Sequence, residues 1–222
     1  MSSVQSSDSD GTDPVPHVDD LAIESAKALL RKAIILRRDL RAASVRKADD
    51  AARFDLVRRR LGSRPPRVVA AYLSSGSEPG TLQLIAWLTS QGVRVLLPVM
   101  TTPTRGLRQQ AAWAPYGGPD ALRVGVLSIL EPTTPASEGP ALADADLVIC
   151  PALAANPSGD RLGRGGGWYD RALHFARDDA ELWAMLNDDE VLNAIPTQPW
   201  DRRVGAIVTS SRIIGCRAPV AG

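Results

Sequence analysis

The stretch Arg161 to Leu173, RLGRGGGWYDRAL, sets Gly163, Gly165, Gly166 and Gly167 beside Arg161 and Arg164, directly ahead of a segment patterned as a helix. Glycines lack the Cβ that would keep backbone N–H groups away from a ligand oxygen. N–H groups at a helix start are unpaired and the helix dipole favours anions there, while arginines fork onto phosphate oxygens. The chemistry implied is the binding of a phosphate or polyphosphate. The spacing is neither GxGxxG nor GxxxxGK[ST], which speaks against a Rossmann dinucleotide site and a Walker loop. A plain surface turn with solvent-facing arginines is the competing reading, but four glycines would then cost chain entropy with no return. Asp170, in the first turn of the following helix, fits two roles: stabilising the helix N-terminus or holding a divalent cation beside bound phosphates. Spacing leaves both open.

A second basic group lies far upstream. Lys27 and Arg31 are four residues apart and Arg38 follows two turns later, so all three share one helix face. Like charges at this spacing repel unless an anion or a carboxylate sits between them, and Glu24 and Asp39 offer partial relief. The run reads as a solvated face unless its helix docks beside the glycine loop. The two histidines, His17 and His174, give no Ser–His or Cys–His arrangement, and Cys150 and Cys216 have no metal-binding spacing.

The elements that must position these residues follow from periodicity. Residues 1 to about 20 are rich in Ser and Asp and are expected to be a disordered acidic tail. Apolar positions from Ile23 to Leu40 recur every three to four residues, predicting an amphipathic helix, and SVRKADDAARFDLVRRRLG predicts a second, with Ser44 as N-cap and Gly62 as its stop. RVVAAYL and VRVLLPVM read as buried strands bracketing the helix TLQLIAWLTSQG, a parallel crossover unit. Arg108 to Gly118 fits an antiparallel strand, Pro115 to Ala141 is turn-rich, and DLVICPAL is a strand feeding the glycine loop. ELWAML and VGAIVTS read as the last strands. The expected fold is a single α/β domain over residues 21–222.

Composition narrows the partners. The 222 residues carry 26 Lys+Arg against 25 Asp+Glu, a net charge of +1, so neither nucleic-acid nor membrane-surface binding is expected and any basic site must be local. The first twenty residues hold no Lys or Arg and no apolar core, and a cytoplasmic monomer is the expectation.

With KALLR near the start, EPGT after the first strand and GDRLGRGGGWYDRAL in the last third, the chain resembles the 5-formyltetrahydrofolate cyclo-ligase family, from about Ser25 to Arg212. The resemblance implies a three-layer α/β/α domain with a mixed, mostly parallel sheet, acting in one-carbon metabolism as an ATP- and Mg²⁺-dependent ligase. The reaction the resemblance implies is conversion of 5-formyltetrahydrofolate to 5,10-methenyltetrahydrofolate through a phosphorylated formyl intermediate. It further implies that Lys27 and Arg31 contact the ATP phosphates and, with Arg164, serve catalysis, and that Arg161, Leu162, Gly163, Arg164, Gly165, Gly166, Gly167, Trp168 and Tyr169 wrap the triphosphate. Asp170 and Asp201 fall at Mg²⁺ positions. Leu73, Glu78 and Glu131 fall at positions facing the folate, with Trp168 and Tyr169 bordering it.

Several positions depart from the family pattern: Trp168 replaces a tyrosine, Gln198 an acid and Trp200 a histidine in PTQPWD, and Asn156 stands where an acid often follows the strand. These departures motivate an alternative, a non-catalytic nucleotide- or folate-binding homologue with a degenerate folate pocket. A filled pterin pocket would favour it; an open one favours the ligase.

Overall fold

The computed structural model describes residues 18–198 and 200–217. Helix α1, Val18–Leu40, begins ahead of the apolar period that starts at Ile23 and places Asp19 and Asp20 in its first turn, where the dipole favours acids. Residues 18–20 of the expected tail are therefore helical, and residues 1–17 lie outside the described set. Helix α2, Ala43–Leu61, has Ala42 at its N-cap with no side-chain cap, so the expected cap at Ser44 is corrected: the helix has already started there. Gly62 ends it with φ 63°, a left-handed conformation suited to glycine.

Strand β1 (Val68–Ala70), helix α3 (Leu82–Ser90) and strand β2 (Arg94–Thr101) form the parallel crossover. Strand β3 (Leu107–Pro115) returns antiparallel to β2. The turn-rich segment holds a short hairpin, β4 (Leu122–Val124) with β5 (Leu130–Pro132), and an edge strand β6 (Ser137–Glu138) on β3. Strand β7 (Leu147–Pro151) leads into a two-residue hairpin, β8 (Ala154–Ala155) with β9 (Arg161–Leu162), that the sequence did not reveal. Helix α4 (Trp168–Leu173) follows the glycines, then β10 (Glu181–Met185), β11 (Ala206–Val208) and a further strand β12 (Ile213–Gly215), antiparallel to β11.

The main sheet runs β12-β11-β10-β7-β1-β2-β3-β6. Its central strands are parallel and its antiparallel members lie at the edges. On one face Val57 of α2 and Leu84, Ile85 and Leu88 of α3 pack on Val69, Val95, Ile149 and Trp183. On the other, Ala172 and Leu173 of α4 pack with Leu142 on Ala70, Leu96, Val148 and Cys150. Because β1 sits between β2 and β7, the chain leaves it on one side and returns on the other, which opens a crevice at the carboxyl ends of these strands.

Helix α1 closes that crevice. Ile34 packs with Leu153, Ala154, Leu162 and Ile195, while Arg38 donates from Nε and Nη2 to the Glu190 carboxylate at 2.6 and 2.7 Å and from Nη2 to the Ala152 carbonyl at 2.7 Å. Lys27 and Arg38 are only 4% and 2% exposed. The basic face therefore points inward, and its reading as a solvated face is corrected.

Candidate active site

A cavity of about 810 Å³ occupies the crevice, bounded by α1, the loops after β1 and β7, and the glycine loop. A second cavity of about 610 Å³, against Arg60 and Trp183 near the amino end of β10, contains none of the residues singled out by sequence.

One end of the large cavity is cationic. Lys27 Nζ donates to Asp201 Oδ2 at 2.7 Å and to Gln198 Oε1 at 3.1 Å. Arg31 Nε donates to the Gly163 carbonyl at 3.0 Å and its Nη1 reaches Glu24 at 3.5 Å. The basic helix thus docks on the glycine loop. Gly165 has φ 100°, and a Cβ there would stand 3.3 Å from the Arg31 guanidinium, so this position needs glycine twice over. Gly167, φ 60°, is hemmed in by Arg171, which donates to the Gly166 carbonyl at 3.2 Å. Gly166 faces open space. Among the described residues no hydrogen bond occupies the backbone N–H groups of Arg164, Gly165 or Gly166. Helix α4 has six residues, so an anion here would be held by these amides and the surrounding cations more than by a long helix dipole.

The proposed metal positions share this end. Arg161 Nη2 donates to Asp170 Oδ1 at 2.6 Å, and the Arg202 N–H approaches the same oxygen at 3.4 Å. Asp201 Oδ2 accepts from Lys27 and from the Gln198 N–H. Each carboxylate keeps its other oxygen without a hydrogen-bond partner among the described residues, and both residues line the cavity. Among those residues no group of three or more His, Cys, Asp or Glu side chains forms a self-sufficient metal cage. Two carboxylates with room for phosphate oxygens and water suit Mg²⁺, which is bound in that way in nucleotide sites.

The other end is apolar. Leu73, Pro98, Met100, Leu127 and Ile129 line it, and Leu127 does so from a hairpin tip where it and Ser128 both have positive φ, 58° and 57°. Glu78 stands between the two ends: Oε2 accepts the Ser75 N–H at 2.9 Å and Oε1 accepts Arg164 Nε at 3.0 Å. Leu162 is buried under the loop and also reaches the cavity. Trp168 and Tyr169 line the cavity, and Trp168 packs against Trp113 with ring centroids 5.2 Å apart and planes inclined by 58°. The Trp168 Nε1 and the Tyr169 hydroxyl are buried with no hydrogen-bond partner among the described residues, and burial pushes the Tyr169 phenol well above its usual titration range. Below them, burial raises the Cys150 thiol to about 11, leaving it inert.

Glu131 does not line the cavity. Its Oε1 accepts the Met100 and Thr101 N–H groups at 2.7 and 3.1 Å, fixing the strand end from which Met100 reaches the cavity. Asn156 organises the turn to Asp160 and is likewise outside the lining. Trp200 stands at the mouth, 57% exposed, and fills nothing. Sequence reasoning missed Arg171, Met100, Leu127 and Ile129. Arg171 lay within the loop motif four residues after Gly167; the others carry no signal beyond hydrophobicity.

The profile of the 5-formyltetrahydrofolate cyclo-ligase family matches residues 23–210. The 5-formyltetrahydrofolate cyclo-ligase of Mycolicibacterium smegmatis is 40% identical over 146 residues, 66% of this chain and 75% of the relative. That of Escherichia coli K12 is 31% identical over 159 residues, 69% of this chain and 86% of its own. The solved structure of the Aquifex aeolicus 5,10-methenyltetrahydrofolate synthetase superposes with a TM-score of 0.71 at 23% identity, covering 88% of this chain and 95% of that one. The Mycoplasma pneumoniae synthetase gives 0.65 at 18% identity, over 83% and 98% of the chains. These two share the fold, including its three layers and mostly parallel sheet. With a profile match over most of its length and a cavity assembled from the very motifs that suggested it, the chain belongs to the 5-formyltetrahydrofolate cyclo-ligase family.

Proposed function

We propose that this chain converts 5-formyltetrahydrofolate to 5,10-methenyltetrahydrofolate at the expense of ATP, with residues 21–222 working as one catalytic domain. The observation that carries the reading is continuity: a cationic end with unengaged amides and an apolar end guarded by a single carboxylate belong to one cavity. A nucleotide triphosphate suits the first, a flat pterin the second. Their reacting groups would meet near Glu78 and Trp168.

The formyl oxygen is a poor leaving group. In the proposed sequence it attacks the γ-phosphorus, the bond to the ADP oxygen breaks, and an imidate phosphate results. The N10 lone pair then adds to the formyl carbon, N10 gives up its proton, and phosphate leaves with the C–O electron pair as the five-membered ring closes. Such steps ask for positioning and charge neutralisation more than for a protein nucleophile. Lys27 and Arg31 reach the phosphates from α1, Arg161 and Arg164 from the loop, and the amides of residues 164–166 cradle oxygens. Asp170 and Asp201 would hold Mg²⁺, which when bound supplies further neutralisation of phosphate charge. Leu73 packs on the pterin, and Glu78 accepts hydrogen bonds from its N–H groups.

The non-catalytic alternative draws on Gln198 and Trp200. Gln198 supplies an acceptor for Lys27 and Trp200 leaves the cavity open, which supports the catalytic reading. The test is direct. Protein mixed with 5-formyltetrahydrofolate, ATP and Mg²⁺ should develop the near-ultraviolet absorbance of the methenyl product, with ADP released in equal amount. ATP binding without methenyl product would replace the ligase by the binding protein.

A further inference from the structure

We infer that the solvent face of α1 is a self-association surface on which a second copy of this chain packs its own α1 antiparallel. This inference stands independently of the catalytic reading. While Lys27, Ile34 and Arg38 point inward, the opposite face carries Ala22, Ala26, Leu29, Ala33, Leu36 and Leu40, all exposed. Their spacing alternates four, three, four, three, four, the repeat that keeps an apolar seam along one side of a helix paired with another. Leu29, Leu36 and Leu40 are 69%, 62% and 77% exposed, a concentration of large apolar side chains that soluble surfaces seldom leave in water without a use.

The order of sizes along the seam selects the partner. In an antiparallel pair centred on Arg31, Ala22 faces Leu40 of the other copy, Ala26 faces Leu36, and Leu29 faces Ala33. Every layer then sets one large side chain against one small one, so that the two seams interlock. A parallel pair would instead set alanine on alanine and leucine on leucine. Charge agrees with size: α1 begins with Asp19 and Asp20 and ends with Arg37, whose side chain is half-exposed beside Asp189. An antiparallel pair brings acidic starts near basic ends and opposes the two helix dipoles, whereas a parallel pair stacks like on like. Residues 1–17 are a poor alternative cover, since Met1, Val4 and Val15 are their only hydrophobic members apart from prolines.

A single helix pair gives an interface at or below the small end of the stable range, about 1,200 Å². The dimer should therefore be reversible, with a dissociation constant on the order of micromolar. Sedimentation velocity on the full chain across two decades of concentration around ~10 µM should show monomer giving way to dimer. Leu36→Glu should weaken the dimer at least about tenfold without altering circular dichroism or melting, because the side chain is exposed in the monomer. Orientation is read by crosslinking in a Cys216→Ser background. Ala22→Cys chains mixed with Leu40→Cys chains should form a mixed disulfide dimer, and Leu40→Cys alone should not pair with itself. A monomer at every concentration overturns the inference, as does a dimer indifferent to Leu36→Glu. Self-crosslinking of Leu40→Cys overturns the antiparallel arrangement, and a dimer seen only after deletion of residues 1–17 shows that this segment covers the seam instead.

Discussion

Two ion pairs anchored on α1, Lys27–Asp201 and Arg38–Glu190, look alike by distance and differ in what surrounds them. Arg38 meets both oxygens of Glu190, and those oxygens also accept the Asn187 backbone and side-chain N–H groups. No acceptor position is left for anything else. Asp201 and Asp170 each have one oxygen bonded to protein and the other without a hydrogen-bond partner among the described residues, and both residues line the cavity. The first kind of pair holds the helix in place; the second can exchange its partner for a ligand. Saturation of the carboxylate, more than burial or distance, separates scaffold from site.

The largest effect should come from breaking the saturated pair. Arg38→Met leaves Glu190 charged and uncompensated, a loss of about 3–5 kcal/mol, visible as a lower urea midpoint. Adding Glu190→Gln should recover much of it. At the exchangeable pair, Lys27→Met should leave the midpoint within about 1 kcal/mol yet reduce kcat/KM by roughly 100-fold. Equal stability losses for Lys27→Met and Arg38→Met would erase the contrast. Asp170→Asn should raise the magnesium needed for half-maximal turnover about tenfold with melting nearly unchanged, and a chelator should stop the wild type.

Arg164–Glu78 is intermediate, its arginine 54% and its carboxylate 11% exposed. Arg164→Ala should weaken ATP binding while tightening folate binding in the absence of ATP by about two- to fivefold, as befits an exposed pair worth under ~1 kcal/mol. Weaker folate binding would instead place Arg164 on the folate itself. The smallest effect concerns Asp146, whose carboxylate is held below its usual range, first by the Val68 N–H, then by Arg177 and the Arg67 N–H. A depressed folded pKa gives stability that is present above the unfolded value and lost as pH falls through the folded one. Asp146→Asn should therefore lower stability slightly at neutral pH, and the difference from wild type should vanish as pH falls below about 4.

The sequence disclosed the parts of the site that are local and hid those that are not. Four glycines and two arginines in one seven-residue run stand out as a candidate anion site, and Lys27 with Arg31 declare a shared face. Whether that face was wet or buried depended on Glu190 and Asp201, more than 150 residues away, and no periodicity records such a partner. Among fold elements, β1, β2, β7 and β11 were legible as β-branched apolar runs and β10 as an apolar one. The hairpin of β8 and β9 was not, because two-residue strands have no period to detect. Ser44 misled because a residue inside the first turn and a residue capping it look the same in one dimension. Glu131 was drawn toward the substrate by resemblance, whereas its buried carboxylate serves the backbone of β2.

The contact between Lys27 and Asp201 spans 174 residues of sequence. During vectorial synthesis, α1 and even the complete glycine loop emerge while Asp201, β11 and β12 are still inside the ribosome. A growing chain therefore holds its cationic residues without the closing wall of the cavity. On the proposed reading, ligand bound between those residues would add its stabilisation only to the finished fold, and the metabolite would act as an inspector of completed molecules, giving no shelter to fragments.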